Sequence, residues 1–151
     1  MWTLFPKFYS LFENYSMDVV QELLVPFDNY ISRGTQMFLT GPYLDLVFTM
    51  YKKVLSDLNT MDRTCADVIK LWEVVVQNCK GRIDQYIEPS IEIALNRLNE
   101  AQKVPLKVLL IEVIANSMYY NPELLLRILE NRNWTRPTFE VWFQLVPKFD
   151  R

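Results

Sequence analysis

The chain has 151 residues, half of them hydrophobic and 14% aromatic, which is enough length and apolar surface to bury a core. Its 16 basic and 18 acidic side chains leave a net charge of −2, a balance that excludes intrinsic disorder and argues against a dedicated nucleic-acid binder. Histidine is absent, which removes Ser-His and Cys-His catalysis, histidine zinc sites and the usual general base near neutral pH.

The first predicted helix covers residues 2–15. On a helical wheel Trp2, Leu4, Phe5, Phe8, Tyr9, Leu11, Phe12 and Tyr15 fill one half, while Thr3, Pro6, Lys7, Ser10, Glu13 and Asn14 fill the other. An apolar arc of about 180° exceeds the ~100° that one packed face needs, so this helix should touch more than one neighbour. Further helices are predicted over 18–32, 42–58, 62–80, 82–100, 104–120, 122–131 and 136–149, with 33–41 as a longer loop. No stretch alternates like a strand. The run 104–120 is interrupted by Lys107 and Glu112, so no membrane span is expected.

Gly41, Gly81 and Asn121 recur at a spacing of 40, each a residue type that tolerates left-handed backbone at a helix end. Pro42, Pro105, Pro122 and Pro137 sit near helix starts, where a missing N–H costs little. Pro6, Pro26 and Pro89 fall inside apolar patterns and should kink or break those helices. A shift of 40 carries Val68, Ile69, Leu71 and Val75 onto Val108, Leu109, Ile111 and Ala115, and Val47, Tyr51, Leu55 and Leu58 onto Ile87, Ile91, Leu95 and Leu98. A helical-hairpin period near 40 belongs to HEAT-type repeats. The expected fold is all-α, a HEAT-like α-solenoid of about four antiparallel hairpins in a right-handed superhelix. The hairpins fall at about 1–33, 42–80, 82–121 and 122–150 of a single segment, 1–151. A closed helical bundle is the alternative. Aromatics crowd both ends (Trp2, Phe5, Phe8 and Phe12; Trp134, Phe139, Trp142, Phe143 and Phe149), which suggests further repeats packed against them.

Chemistry is sparse. Glu88 and Glu92 stand at i, i+4, the spacing of a solvated helix face as much as of an acid pair. Cys65 and Cys79 form no C-x-x-C pair and read as reduced, intracellular thiols, with Cys79 beside Lys80 the more polar of the two. The sequons at Asn14 and Asn133 have no secretory context, since the first residues lack a signal-peptide pattern. Three glycines supply no phosphate-binding loop, and no acidic run resembles a calcium site, so no enzyme, cofactor or metal is expected. Arg127, Arg132, Arg136 and Trp134 gather cations around a ring near one turn, a surface for nucleic acid or an acidic peptide, or simply a solvated turn. Asp18, Glu22 and Asp28 give the second helix an acidic stripe, the candidate partner-binding site for a basic ligand or else an ordinary solvated face.

Two stretches add a likeness to a known family. Residues 71–89, with the string Cys79-Lys80-Gly81 and then Ile83-Asp84-Gln85, resemble the importin-β (karyopherin) superfamily, more narrowly the branch of importin seven, importin eight and their fungal relatives. Met118-Tyr119-Tyr120-Asn121-Pro122-Glu123 is similar to a later helix turn of the same receptors, and the likeness runs from about Tyr43 to Asn131. Trp72 departs from the smaller aliphatic expected there. The resemblance implies middle-to-late HEAT repeats of a nuclear transport receptor that shuttles between cytoplasm and nucleus. Such a receptor binds cargo proteins, releases them to Ran-GTP and touches Phe-Gly nucleoporins. It also implies that the helices beginning near 2, 42, 82 and 122 face outward and those near 18, 62, 104 and 136 inward. A HEAT scaffold of a coat, phosphatase or kinase assembly is the alternative.

Overall fold

The computed structural model describes residues 2–15 and 19–146. Nine α-helices account for nearly all of them, and no strand occurs among the described residues. A 3-10 turn, Trp2–Leu4, leads into α1 (Phe5–Tyr15), followed by α2 (Val20–Arg33), α3 (Thr35–Thr40), α4 (Tyr43–Ser56) and α5 (Asp62–Asn78). Then come α6 (Asp84–Glu100), α7 (Val104–Tyr120), α8 (Pro122–Asn131) and α9 (Thr135–Leu145). The chain divides into two compact units, Met1–Arg82 and Ile83–Arg151.

Inside each unit the packing is that of HEAT-like helical hairpins. Consecutive helices pair, α1 with α2 and α4 with α5 in the first unit, α6 with α7 and α8 with α9 in the second. Equivalent helices of successive pairs also meet, α1 on α4 and α2 on α5, and likewise α6 on α8 and α7 on α9. The wide apolar arc of α1 accordingly finds two partners. Its Phe5 ring lies 4.6 Å from Phe27 of α2 and 4.9 Å from Tyr43 of α4. Phe5 and Phe12 are therefore buried within the unit, while Trp2 and Phe8 are half-buried. At the other end Phe143 is 71% exposed and stacks with Trp142 on Phe139, while Phe149 lies outside the described residues.

Three local expectations are corrected. Residues 33–41 contain α3, a six-residue helix set between Gly34 and Gly41 that buries only Phe38. Pro26 and Pro89 do not break their helices, which run on past them, though each removes one main-chain hydrogen bond, and Pro6 falls in the first turn of α1, where none is lost. Of the three punctuating residues only Gly81 takes left-handed backbone, at φ 75°. Gly41 is extended and instead gives room to the Tyr43 ring, which a β-carbon there would meet at 2.4 Å. Asn121 is extended too and caps α8, its side chain accepting from the Leu124 N–H at 3.1 Å.

The 40-residue register holds for the first helix of the inner pairs, where Val47, Tyr51 and Val54 correspond to Ile87, Ile91 and Ala94, all buried. Leu58 is exposed and falls out of the pattern. For the second helix the register slips by two. Buried Val68, Ile69, Leu71 and Trp72 match buried Leu110, Ile111, Val113 and Ile114, whereas Val108 and Leu109 are only half-buried. The cause is local: α6 runs on to Glu100, and α7 starts two residues later than a strict period would place it. Because α7 is apolar nearly all round, it has to be covered on several sides, and α6, α8 and α9 all pack on it.

Trp72, larger than the aliphatic residue expected there, is 1% exposed. Its ring packs 5.3 Å from Phe48 and 5.5 Å from Tyr51, so the larger side chain fills an aromatic slot between α4 and α5. Burial of rings this size contributes about 1.5–3 kcal/mol each.

Candidate docking surfaces

The acidic helix α2 presents Glu22 and Asp28 to solvent, and Asp18 lies outside the described residues. Six positions apart, Glu22 and Asp28 stand about 120° from each other around the helix and about 9 Å along it. Asp28 borders a shallow groove of about 190 Å³ between α2 and α5, whose walls are Leu24, Val25, Leu71 and Val74 and whose other charge is Lys70. Val25 is 70% exposed there, because α2 turns its Val20, Leu23, Phe27 and Ile31 face into the core and leaves Val25 on the far side. The groove thus joins an apolar floor to one acid and one base.

The arginine-rich turn after α8 is built differently. Arg132 donates from Nε to Glu88 at 2.7 Å and from its terminal nitrogen to Glu92 at 3.4 Å, and its guanidinium lies 5.0 Å from the centre of the Trp134 ring. Its carboxylate partners hold the guanidinium pKa above the usual arginine range, the Glu88 hydrogen bond most of all. Arg136 is paired with Glu140 at 2.8 Å. Two of the three arginines are therefore matched by carboxylates, which weakens the case for a nucleic-acid surface. The same contacts give Glu88 and Glu92 a role: they fasten α6 to the end of α8.

Cys79 and Cys65 are both buried. Desolvation pushes the Cys79 thiol up to about 11, outweighing the nearby Arg82, so it stays protonated and inert near neutral pH. Lys80 beside it in sequence does not reverse that. Among the described residues no cluster of three acids, cysteines or histidines could hold a metal ion, and no helix is long and apolar enough to cross a membrane. A second polar site ties the α6–α7 pair together. The Tyr120 hydroxyl accepts from the Ile83 N–H at 3.3 Å and donates to the Asp84 carboxylate at 2.5 Å. Sequence reasoning missed it because its partners lie 36 and 37 positions apart.

Paired helices that pack like on like, with grooves between them, define a HEAT-like repeat fold. Comparison with known proteins narrows that class. The chain is 39% identical, over its whole length, to a probable importin-7 homolog of Dictyostelium discoideum. It is 37% identical over 97% of its length to an importin beta-like SAD2 homolog of Arabidopsis thaliana, and 37% identical over 87% to importin-8 of Danio rerio. It spans 15%, 14% and 13% of these relatives' lengths respectively. No family model matches the chain, and no solved structure does. The chain belongs to the importin-β superfamily, in its importin-7 and importin-8 branch.

Proposed function

We propose that this chain is a segment of a nuclear transport receptor that acts by binding proteins and performs no catalysis. The observation that carries the reading is the 39% identity, across the entire chain, to an importin-7 homolog. In this reading the parent receptor carries cargo proteins through nuclear pores, meets Ran-GTP and Phe-Gly nucleoporins, and shuttles between cytoplasm and nucleus. The hairpins at about 1–33, 42–80, 82–121 and 122–150 make up one HEAT segment of it. The acids Asp18, Glu22 and Asp28 are its contacts for basic cargo, with the α2–α5 groove beside Asp28 taking an apolar side chain.

The test uses the full-length receptor. It should bind Ran loaded with a non-hydrolysable GTP analogue, release bound cargo when it does so, and accumulate labelled cargo in the nuclei of permeabilised cells. A receptor that ignores Ran-GTP and co-purifies with coat, phosphatase or kinase subunits would instead be a HEAT scaffold. For these acids, reversing Asp18, Glu22 and Asp28 together should weaken a basic cargo peptide and flatten its salt dependence. An unchanged salt slope would remove them from the reading.

A further inference from the structure

A second cavity in the first unit points to a different ligand chemistry. The Trp2–Leu4 turn, α1 and the last turns of α2 enclose about 540 Å³, within the range of sites that hold small ligands or anchoring side chains. Its walls are rings. Trp2 lies 4.9 Å from Tyr30, and Phe8 meets the same tyrosine edge-on at 6.4 Å, with Leu4 and Pro26 completing the apolar lining. Gly34 allows this arrangement, since a β-carbon there would stand 2.5 Å from the Trp2 ring.

Among the described residues Arg33 is the one charged residue lining the cavity. It closes α2, where the carbonyl end of a helix favours a cation, and it is exposed. Lys53, Arg132 and Arg136 each pair with a glutamate, but Arg33 has no carboxylate partner among the described residues. An aromatic slot bordered by an unpaired guanidinium complements an apolar ring that carries negative charge beside it. Aromatic anchors seated in such pockets dominate binding energy, and neighbouring charges add selectivity.

We propose that this cavity is a docking site for a linear, acidic protein segment. A bulky aromatic side chain seats against the packed rings of Trp2, Tyr30 and Phe8, and an adjacent aspartate or glutamate pairs with Arg33. The proposal is argued from the cavity and its charge, and only the comparison with the full-length receptor rests on the reading of the chain as a receptor segment.

Fluorescence anisotropy with the 151-residue chain and a labelled peptide, Gly-Asp-Glu-Trp-Asp-Glu-Gly, tests it. Saturable binding is expected, weakening as salt rises. Arg33→Glu should reduce it about tenfold, the scale of a lost charge-assisted hydrogen bond, while Lys52→Glu, a reversal elsewhere on the surface, should leave it unchanged. Gly34→Ala should weaken it by displacing the Trp2 ring, and alanine in place of the peptide's tryptophan should abolish it. Equal binding of a peptide with serines for its acids, or indifference to Arg33→Glu, would overturn the proposal. So would a dimer of the chain that excludes the peptide, which would make a second copy the occupant. Failure of the full-length receptor to bind a peptide that the 151-residue chain does bind would overturn it too, because a segment of the receptor would then fill the cavity.

Discussion

Between Met1 and Arg82 the largest fully buried side chains are mostly rings, Phe5, Phe27, Phe38, Tyr51 and Trp72; between Ile83 and Arg151 they are branched aliphatics, Ile83, Ile87, Ile91 and Leu110. Polar groups enter both interiors, Thr60 and Thr64 in the first unit and more of them in the aliphatic one. Ser90 and Ser117 donate to carbonyls of their own helices, Arg97 is 5% exposed, and Tyr120 joins the α6 start to the α7 end. The contrast has a physical basis. A ring contacts several helices at once and tolerates tilted geometries, so ring packing alone can hold irregular pieces such as the Trp2–Leu4 turn and α3. In the second unit the serine bonds stay within their own helices, and the Tyr120 hydroxyl supplies the directional link between α6 and α7.

The contrast breaks hardest at Trp72. Trp72→Ala should cost about 3–5 kcal/mol, and Leu110→Ala in the other unit about 2–5 kcal/mol, read from urea unfolding. A negligible loss for Trp72→Ala would show that rings do not carry the first unit. Next in size, Tyr120→Phe should cost about 1–3 kcal/mol, since the buried Ile83 N–H and the Asp84 carboxylate each lose a partner. A neutral result would remove the hydrogen-bonded clamp from the account of the second unit.

The smallest effect concerns Cys79, at the edge of the first unit. Its thiol titrates near 11 in the folded chain against an ordinary 9.0. Between those values the unfolded chain has released its proton while the folded chain retains it, so stability is complete below about pH 9 and falls as pH rises toward 11. Iodoacetamide at pH 8 should accordingly leave native Cys79 largely unmodified and label it on unfolding, as mass spectrometry would report. Rapid native labelling would place the thiol in a more open setting.

Much of the fold could be read along the chain. The 3.6-residue period of α1, α4 and α5 is strong because each buries one broad face, and their ends come within a few residues of the expected positions. The helix α3 escaped because Thr35–Thr40 is too short to display a period and buries only Phe38. The two-residue slip between α5 and α7 escaped as well, since α7 is apolar on nearly every side and fits several registers equally well. Of the candidate sites, the acids of α2 were visible as residues. Their separation around the helix followed from geometry, and the groove beside Asp28 needed α5 in place.

Residue order alone determined that the chain is helical, lacks the groups for histidine-based catalysis and resembles the importin-β superfamily, because periodicity, composition and local polar strings are properties of neighbours along the chain. Tertiary structure alone decided that Arg132 pairs with glutamates 40 and 44 positions away, whereas Arg33 faces a cavity of rings. Pairing of charges depends on distances across helices, and no pattern of nearest neighbours encodes those distances.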